Sequence, residues 1–532
     1  MAKAMRFLAA GGEAVLVELD DLDQTLALLD RLMESRPRGV HEMVPGARTL
    51  LVRFDPLLTD RTALARAIGQ LDLSAHAARQ GKAIDLPMTY DGEDLGSIAE
   101  ILGWSVDELV RRHMAATYTV AFTGFAPGFA YMISDDPDID VPRRATPRLR
   151  VPAGTVALAG KFGGIYPTDS PGGWQLLGTT PLRMWDTHRD KPALLAPGDR
   201  VRFRDMAKGS SVTVPDHASA PAPKRRVTQG LRVRRCDRPA LYQDRGRPGR
   251  AGQGISESGA LDRAALREAN ICVGNPPGAA AIEISFGGFE LEADQPVTMA
   301  VTGAPCPLEI RSSGGCRISA PFGQPFALDA GDIISMGIPL SGMRSYLAVR
   351  GGFGVAPVLG AAAYDTLAKV GPDPISQGDI LELANAPALA VDAQRPLAPT
   401  LPRAGDVVTL DLLLGPRTDW FTDEGVETLL RQPWRVTPES SRVGLRLSGE
   451  KPLERRDNKE LPSEGTVRGS VQVPHNGQPV LFLADHPLTG GYPVIGVVAP
   501  HHLDLAGQIP IGAMIRFNSI AVFQPAAETI AL

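Results

Sequence analysis

At 532 residues the chain is too long for one hydrophobic core, and a typical domain of about 150 residues suggests three or four. Hydrophobic residues at 43% and charged residues at 22% are ordinary for a globular protein, which argues against disorder. The formal net charge of −5, from 55 basic and 60 acidic residues, is too weak a field to draw nucleic acid or an anionic membrane. No run approaches the roughly 20 apolar residues of a membrane span, and the apolar stretch near the N-terminus is shorter than the about 7–15 residues of a signal core, so a cytoplasmic protein is expected.

Residues 5–90 alternate short apolar runs with two helical stretches. Leu22, Leu26, Leu29 and Met33 share one helical face, and Leu64, Ile68 and Leu71 another. The order strand, strand, helix, strand, strand, helix, strand predicts a ferredoxin-like α/β module over 1–85. Asp94 then opens a short helix that ends at Gly103, and Ser105 with Glu108 forms a capping box for a second helix carrying Val106, Leu109, Val110 and His113 on one face. From about Thr117 the chain turns to short β runs between Gly and Pro, which predicts a closed β structure over 86–205. A small-residue and proline-rich stretch, 206–228, reads as a linker to a second part, 229–525. The overall expectation is an α+β, mostly β protein.

The two parts share a distant repeat. Val151-Pro152, Gly163-Gly164-Ile165-Tyr166-Pro167 and Gly198 with Arg202-Phe203 recur in order as Val473-Pro474, Gly490-Gly491-Tyr492-Pro493 and Gly512 with Arg516-Phe517. This predicts related barrel cores, each closed by a strand of the pattern Gly, three residues, Arg, Phe.

Absences prune the chemistry. Gly154 to Lys161 is one residue too long for a phosphate-cradling loop, and no Gly-x-Ser-x-Gly elbow occurs. Cys236, Cys272, Cys306 and Cys316 form no Cys-x-x-Cys pair and read as buried thiols, while His501 and His502 are expected on opposite faces of a strand, so no bound metal is expected. In the first part, Phe125, Pro127, Gly128 and Phe129, followed by Arg143 and Arg148, combine a tight loop, an aromatic wall and forked donors for a carboxylate or phosphate. The bland alternative is a barrel turn with solvated arginines. Tyr166 and the Gly172-Gly173 loop permit close ligand approach. His113 reads more readily as a packed helix residue than as a catalyst.

In the second part, Gln243, Asp244 and Arg247 lie on a turn-prone loop, and Asp262, Asn270, Asn275 and Glu283 follow on a stretch that reads as mainly helical. Arg442, Gln472, Asp485 and Thr489 complete a mix of guanidinium, amide and carboxylate suited to an ATP phosphate or a carboxylated substrate, although surface ion pairs could account for much of it.

Taken together, these motifs carry a family resemblance. His113, Gly-Phe-x-Pro-Gly-Phe-x-Tyr, Val-Pro-Ala-Gly, Gly-Ile-Tyr-Pro and Pro-Gly-Gly-Trp closely resemble the B component of bacterial ATP-dependent 5-oxoprolinase. Gln-Asp-x-Gly-Arg, Ser-Gly-Ala-Leu-Asp, Val-Gly-Asn, Ser-Arg-x-Gly-x-Arg-Leu, Gln-Val-Pro and Thr-Gly-Gly-Tyr-Pro resemble its C component. The same family is labelled allophanate hydrolase subunits 1 and 2 and recurs in a region of urea amidolyase. The resemblance implies cyclophilin-like barrels, two of them in the second part. It also implies ATP, with Mg2+, driving the opening of 5-oxoproline to glutamate beside a separate 5-oxoprolinase A component, and no bound biotin. It marks His113, Arg148, Asp244 and Arg442 as catalytic candidates. The substrate- and ATP-binding candidates are Phe125, Pro127, Gly128, Phe129, Arg143, Tyr166, Gly172, Gly173, Gln243, Arg247, Asp262, Gln472, Thr489, Gly490, Gly491 and Tyr492. Two stretches depart from the family pattern, Gly360 to Thr366 and Asp485-His486-Pro487-Leu488. The rival readings are an accessory module of biotin-dependent urea or amide carboxylation and a regulator that binds a histidine kinase. Homo-oligomerisation stays open.

Overall fold

The computed structural model describes residues 5–73, 81–144, 146, 148–208, 228–393, 400–457, 459–521 and 523, so most of the 206–228 linker lies outside the described residues. The N-terminal module is an antiparallel sheet of β1 (Arg6–Ala9), β2 (Ala14–Glu18), β3 (Val40–Pro45) and β4 (Thr49–Phe54) in the order β1-β2-β4-β3. Two helices accompany it, α1 (Leu22–Glu34) and α2 (Arg61–Gly69). Asp21 and Asp60 start them by accepting the Gln24 and Ala63 amides, which satisfies donors that a helix start leaves free. The apolar face of α1 divides: Leu28, Leu29 and Leu32 enter the module core, Leu22 and Leu26 pack on the neighbouring barrel, and Met33 is 61% exposed. The expected order of elements is met, but the seventh leaves the module. Strand β5 (Ala83–Met88) pairs in parallel with Arg200–Asp205 in the next sheet, so no strand after α2 closes the first one among the described residues.

That next sheet has seven strands, from Gln175–Thr179 at one edge to β5 at the other. Reciprocal hydrogen bonds of 2.8 and 2.9 Å between Thr89 and Thr179 join its edges. Helices α3 (Leu95–Leu102) and α4 (Val106–Ala115) cover its core. Gly103, at φ 71°, ends α3 where a side chain would be strained, and Ser105 caps α4 through the Glu108 amide at 3.1 Å.

The second part opens with a six-stranded and a five-stranded sheet around one core. It continues into a closed barrel from Val407–Leu414 to Met514–Ala521. The architecture is mostly β, as expected. The repeat is visible in register: first and last strands pair in parallel in both barrels, with Leu86 opposite Phe203 and Leu410 opposite Phe517. Strand alternation puts the phenylalanines in the cores and Arg202 and Arg516 outside.

Arg417 pins the N-terminal module to the closed barrel. At 3% side-chain exposure it donates to Glu464 at 2.9 and 2.7 Å and to Glu18 of β2 at 3.1 Å. Its loss would strand the buried Glu464. Arg417→Met should therefore cost about 3–5 kcal/mol in denaturant unfolding, and the triple variant Arg417→Met, Glu18→Gln, Glu464→Gln should recover most of it. A single variant as stable as the triple one would show that this network does not hold the module.

Candidate functional site

The Gly124–Gly128 turn of the first barrel meets the 485–492 segment of the closed barrel. Phe125 has φ 62°, a conformation that costs a non-glycine residue energy and is held here by the Thr489 hydroxyl, which accepts its amide at 3.1 Å. Gly124 admits no Cβ, which would lie 2.6 Å from the Thr489 Oγ1. The Gly128 amide donates to the Gln253 carbonyl at 3.3 Å, and Pro127 is buried between. Phe125, Phe129, Tyr166 and Trp174 form one wall, with edge-on ring contacts of 5.2–6.1 Å. A side chain at Gly172 would collide with the Tyr166 hydroxyl, while the Gly173 carbonyl accepts the Arg144 amide at 2.9 Å.

On the facing side, Gln472 donates to the Tyr492 carbonyl at 3.2 Å, and a Cβ on Gly490 would lie 2.5 Å from that amide. Arg143 reaches across: one guanidinium nitrogen lies 3.4 Å from where a Cβ on Gly491 would stand. Its charge also acts on Tyr131 and Tyr166, whose phenols burial pushes up, to about 12 for Tyr166. Among the described residues no carboxylate pairs with Arg143. Thus Phe125, Phe129, Arg143, Tyr166, Gly172, Gln472, Thr489, Gly490, Gly491 and Tyr492 share one cleft that neither barrel builds alone.

Arg148 stands at its rim with Arg144, both on Asp94, at 2.8 and 2.6 Å; Arg148 also reaches Glu93 at 3.1 Å. Burial works against ionising Asp94, but Arg148, the Leu176 amide and Arg144 hold it below the usual carboxylate range. Gln243, Asp244, Arg247, Asp262 and Arg442 are elsewhere, in a buried polar layer behind the cleft. Arg442 donates to Glu283, to Asp485 at 2.9 and 3.1 Å and to the Gly259 carbonyl at 2.7 Å. Asp244 ties its own turn to the Ala362 amide at 2.7 Å, Gln243 binds the Tyr364 carbonyl at 2.9 Å, and Arg247 binds that of Ala363. Asp262 caps the helix Arg263–Cys272 and accepts from Gln508, with burial pushing it up to about 6. Glu283 lies on a strand, Ala281–Ser285, and not on the expected helical stretch, because that helix ends at Cys272. The two stretches that depart from the family pattern touch: the Thr366 amide and hydroxyl both donate to Asp485, at 2.8 and 2.7 Å.

His113 is in the core of the first barrel, 0% exposed, with its Nδ1 2.8 Å from the Tyr90 hydroxyl and its ring against Tyr118 and Phe203. Burial pushes it down to about 3, so at neutral pH it is an uncharged packing residue. His501 and His502 do not lie on a strand; they sit on the turn Pro500–His502 and both face Asp411, with the nearest His501 nitrogen at 2.9 Å. Cys272 and Cys306 are buried, whereas Cys316 is exposed. Sequence reasoning missed Tyr131, Ser463, Arg455 and His475 around the cleft. Tyr131 was within reach as the last residue of the aromatic run; the others lie in irregular segments whose neighbours only the fold defines.

A mostly β protein of cyclophilin-like type, with one cleft between two related barrels, is the class that fold and site define. Residues 253–519 match the carboxyltransferase domain, subdomains A and B, and residues 5–195 match subdomains C and D. The chain belongs to this carboxyltransferase-domain family and joins in one polypeptide the counterparts of the B and C components of 5-oxoprolinase. It is 35% identical over 290 residues to the 5-oxoprolinase C component of Escherichia coli (strain K12), covering 54% of this chain and 90% of that protein. To the 5-oxoprolinase B component of Escherichia coli O157:H7 it is 38% identical over 208 residues, 37% of this chain and 95% of that one. Urea amidolyase of Lachancea kluyveri is 32% identical over 302 residues, 52% of this chain but 16% of the relative. The crystal structure of TTHA0988 superposes with a TM-score of 0.80 at 34% identity, over 95% of this chain and 99% of that one.

The neutral His113 stabilises the fold above its ordinary pKa of 6.5, and that contribution is lost as pH falls from 6.5 towards 3. At pH 5 the loss is about 2 kcal/mol. His113→Phe should lose about 2 kcal/mol less than the parent between pH 7 and pH 5 in denaturant melts. Equal losses would mean that the ring is solvated or charge-paired in the native state.

Proposed function

We propose that this chain is the fused B and C component of an ATP-dependent 5-oxoprolinase and works with a separate A component. The γ-phosphoryl group of ATP, carried with Mg2+, passes to the amide oxygen of 5-oxoproline as ADP leaves. Water then adds at the ring carbonyl carbon, and the C–N bond breaks with the nitrogen keeping its proton and gaining the water's. A second water cleaves the acyl phosphate to glutamate and phosphate. In this scheme the present chain binds the lactam and ATP, and the A component completes the ring opening. The scheme uses no bound biotin.

The observation that carries the reading is Arg143. It is an exposed guanidinium without a carboxylate partner among the described residues, close to two phenols and a diglycine floor. Such a fork receives the carboxylate of a small anionic lactam, whose flat ring fits against Phe125 and Tyr166. Arg148, already engaged by Asp94 and Glu93, shapes the rim, while Asp244 and Arg442 act as positioning residues through the 360–366 and 485–492 segments. His113 has no part in the chemistry.

Mixing the chain with the matching A component, Mg2+, ATP and 5-oxoproline should yield glutamate and ADP only when both proteins are present. Arg143→Gln should raise the KM for 5-oxoproline about 10–100-fold, the value of a charge-assisted hydrogen bond, and leave that for ATP nearly unchanged. The carboxyltransferase family and the likeness to urea amidolyase favour a second reading, carboxylation of a urea-like amide using biotin on another chain. If folded proteins give no glutamate, that reading takes its place. ATP hydrolysis without any kinase present would count against the regulator.

A further inference from the structure

The two barrels repeat more than their closing strands. Tyr166 and Tyr492 hold equivalent places in the Gly-Gly-Ile-Tyr-Pro and Gly-Gly-Tyr-Pro segments, each beside a Val-Pro segment in space: the Tyr166 carbonyl accepts the Gly154 amide at 2.7 Å, and the Pro493 carbonyl accepts that of Val473 at 3.0 Å. Each tyrosine also has an arginine. Arg143 stands by Tyr166, and Arg455 stands by Tyr492, its guanidinium carbon 5.9 Å from the ring centre.

Arg455 resembles Arg143 in what it lacks. No carboxylate pairs with it among the described residues; it donates to the Val473 carbonyl and lies 3.4 Å from Nδ1 of His475, while its Nε is buried without a partner. Burial lowers its pKa and only the Tyr492 hydroxyl offsets this, so the cation is uncompensated. His475 packs edge-on against Tyr492 at 5.2 Å; with Nδ1 accepting from Arg455, its other nitrogen carries a proton to offer outward. The result is a cluster of a guanidinium, an imidazole and a phenol, whose Tyr492 directly follows the Gly490-Gly491 pair that Arg143 reaches.

We infer that Arg455, His475 and Tyr492 form a second anion subsite of the cleft, which binds the phosphate groups of the nucleotide while Arg143 binds the substrate carboxylate. This rests on the proposed function for the identity of the two anions. A forked guanidinium suits the terminal phosphate oxygens, and two related barrels then hold the two reactants of one transfer.

The test is binding to the full chain on its own, measured by calorimetry with Mg·ATP, inorganic phosphate and 5-oxoproline in separate titrations. Arg455→Gln should weaken Mg·ATP about 10–100-fold and leave 5-oxoproline within about twofold, with Arg143→Gln doing the reverse. Arg455→Lys should recover part of the loss, and Arg431→Gln, on an exposed helix, should match the parent. Inorganic phosphate that binds as tightly as Mg·ATP and depends equally on Arg455 would make this a free-phosphate site and overturn the nucleotide assignment. Mg·ATP binding absent in the parent would overturn both the subsite and the assignment of ATP to this chain, whereas Mg·ATP binding that is unchanged in a folded Arg455→Gln would overturn the subsite and leave the proposed function intact. Failure of 5-oxoproline to bind while Mg·ATP still depends on Arg455 would do the opposite.

Discussion

The arrangement of the cleft depends on Arg442. Its guanidinium, 6% exposed, joins Glu283 of the two-sheet body to Asp485 of the closed barrel and also holds the Gly259 carbonyl. Taking these charges out of water is expensive, and a well-packed apolar set of the same volume would be at least as stable. What an apolar set would not supply is direction. Asp485 receives Arg442 on one side and Ser258, at 2.6 Å, and Thr366 on the other, so the 485–492 segment can leave the barrel in one way only. Four residues on, Thr489 accepts the Phe125 amide, and the first barrel is fixed to the second. Burial opposes ionisation of Asp485, but Arg442 outweighs it; neighbouring Asp365, without such a partner, is pushed up by burial to about 7.

This chain of contacts explains what is gained by carrying both parts in one polypeptide. The aromatic wall and Arg143 belong to the first part, while the diglycine floor, Gln472 and Thr489 belong to the second. The Thr123 hydroxyl donates to the Gly252 carbonyl at 2.8 Å, and Arg417 reaches Glu18, so the contact spreads well beyond the cleft. A covalent link makes assembly of that interface intramolecular and independent of protein concentration.

Local physics was legible in the sequence; the meeting of distant segments was not. Asp21, Asp60 and Ser105 cap their helices as their spacing suggests, because capping is decided within four residues. The repeat located the closing strands, because alternation turns Phe203 and Phe517 inward wherever the strands pair, while their parallel pairing is seen only in the fold. Where the reading failed, the cause was tertiary. Met33 keeps the helical period of Leu22 and Leu26 yet is exposed, because α1 touches two bodies at an angle that periodicity does not encode. His501 and His502 converge on Asp411 because a single turn of helix replaces the expected strand. Asp244, Arg247, Asp262 and Arg442 were expected as catalytic or binding residues, and the structure sets them in hydrogen-bond networks of the fold. Composition could not say that their partners would be backbone groups and buried side chains such as Glu283, Asp485 and Gln508, and so it could not separate them from Arg143.

That separation carries the functional argument. Arg417, Arg442 and Arg148 are each met by carboxylates within 3.1 Å, so their charges are spent on holding the fold. Arg143 and Arg455 have no such partner among the described residues; Arg143 reaches Gly491, and Arg455 lies against the ring of Tyr492, the next residue in the chain. A guanidinium without a carboxylate neighbour keeps its forked donors for an anion that arrives from solution. The same molecule therefore uses one residue type in two ways, and the presence or absence of a carboxylate neighbour tells them apart.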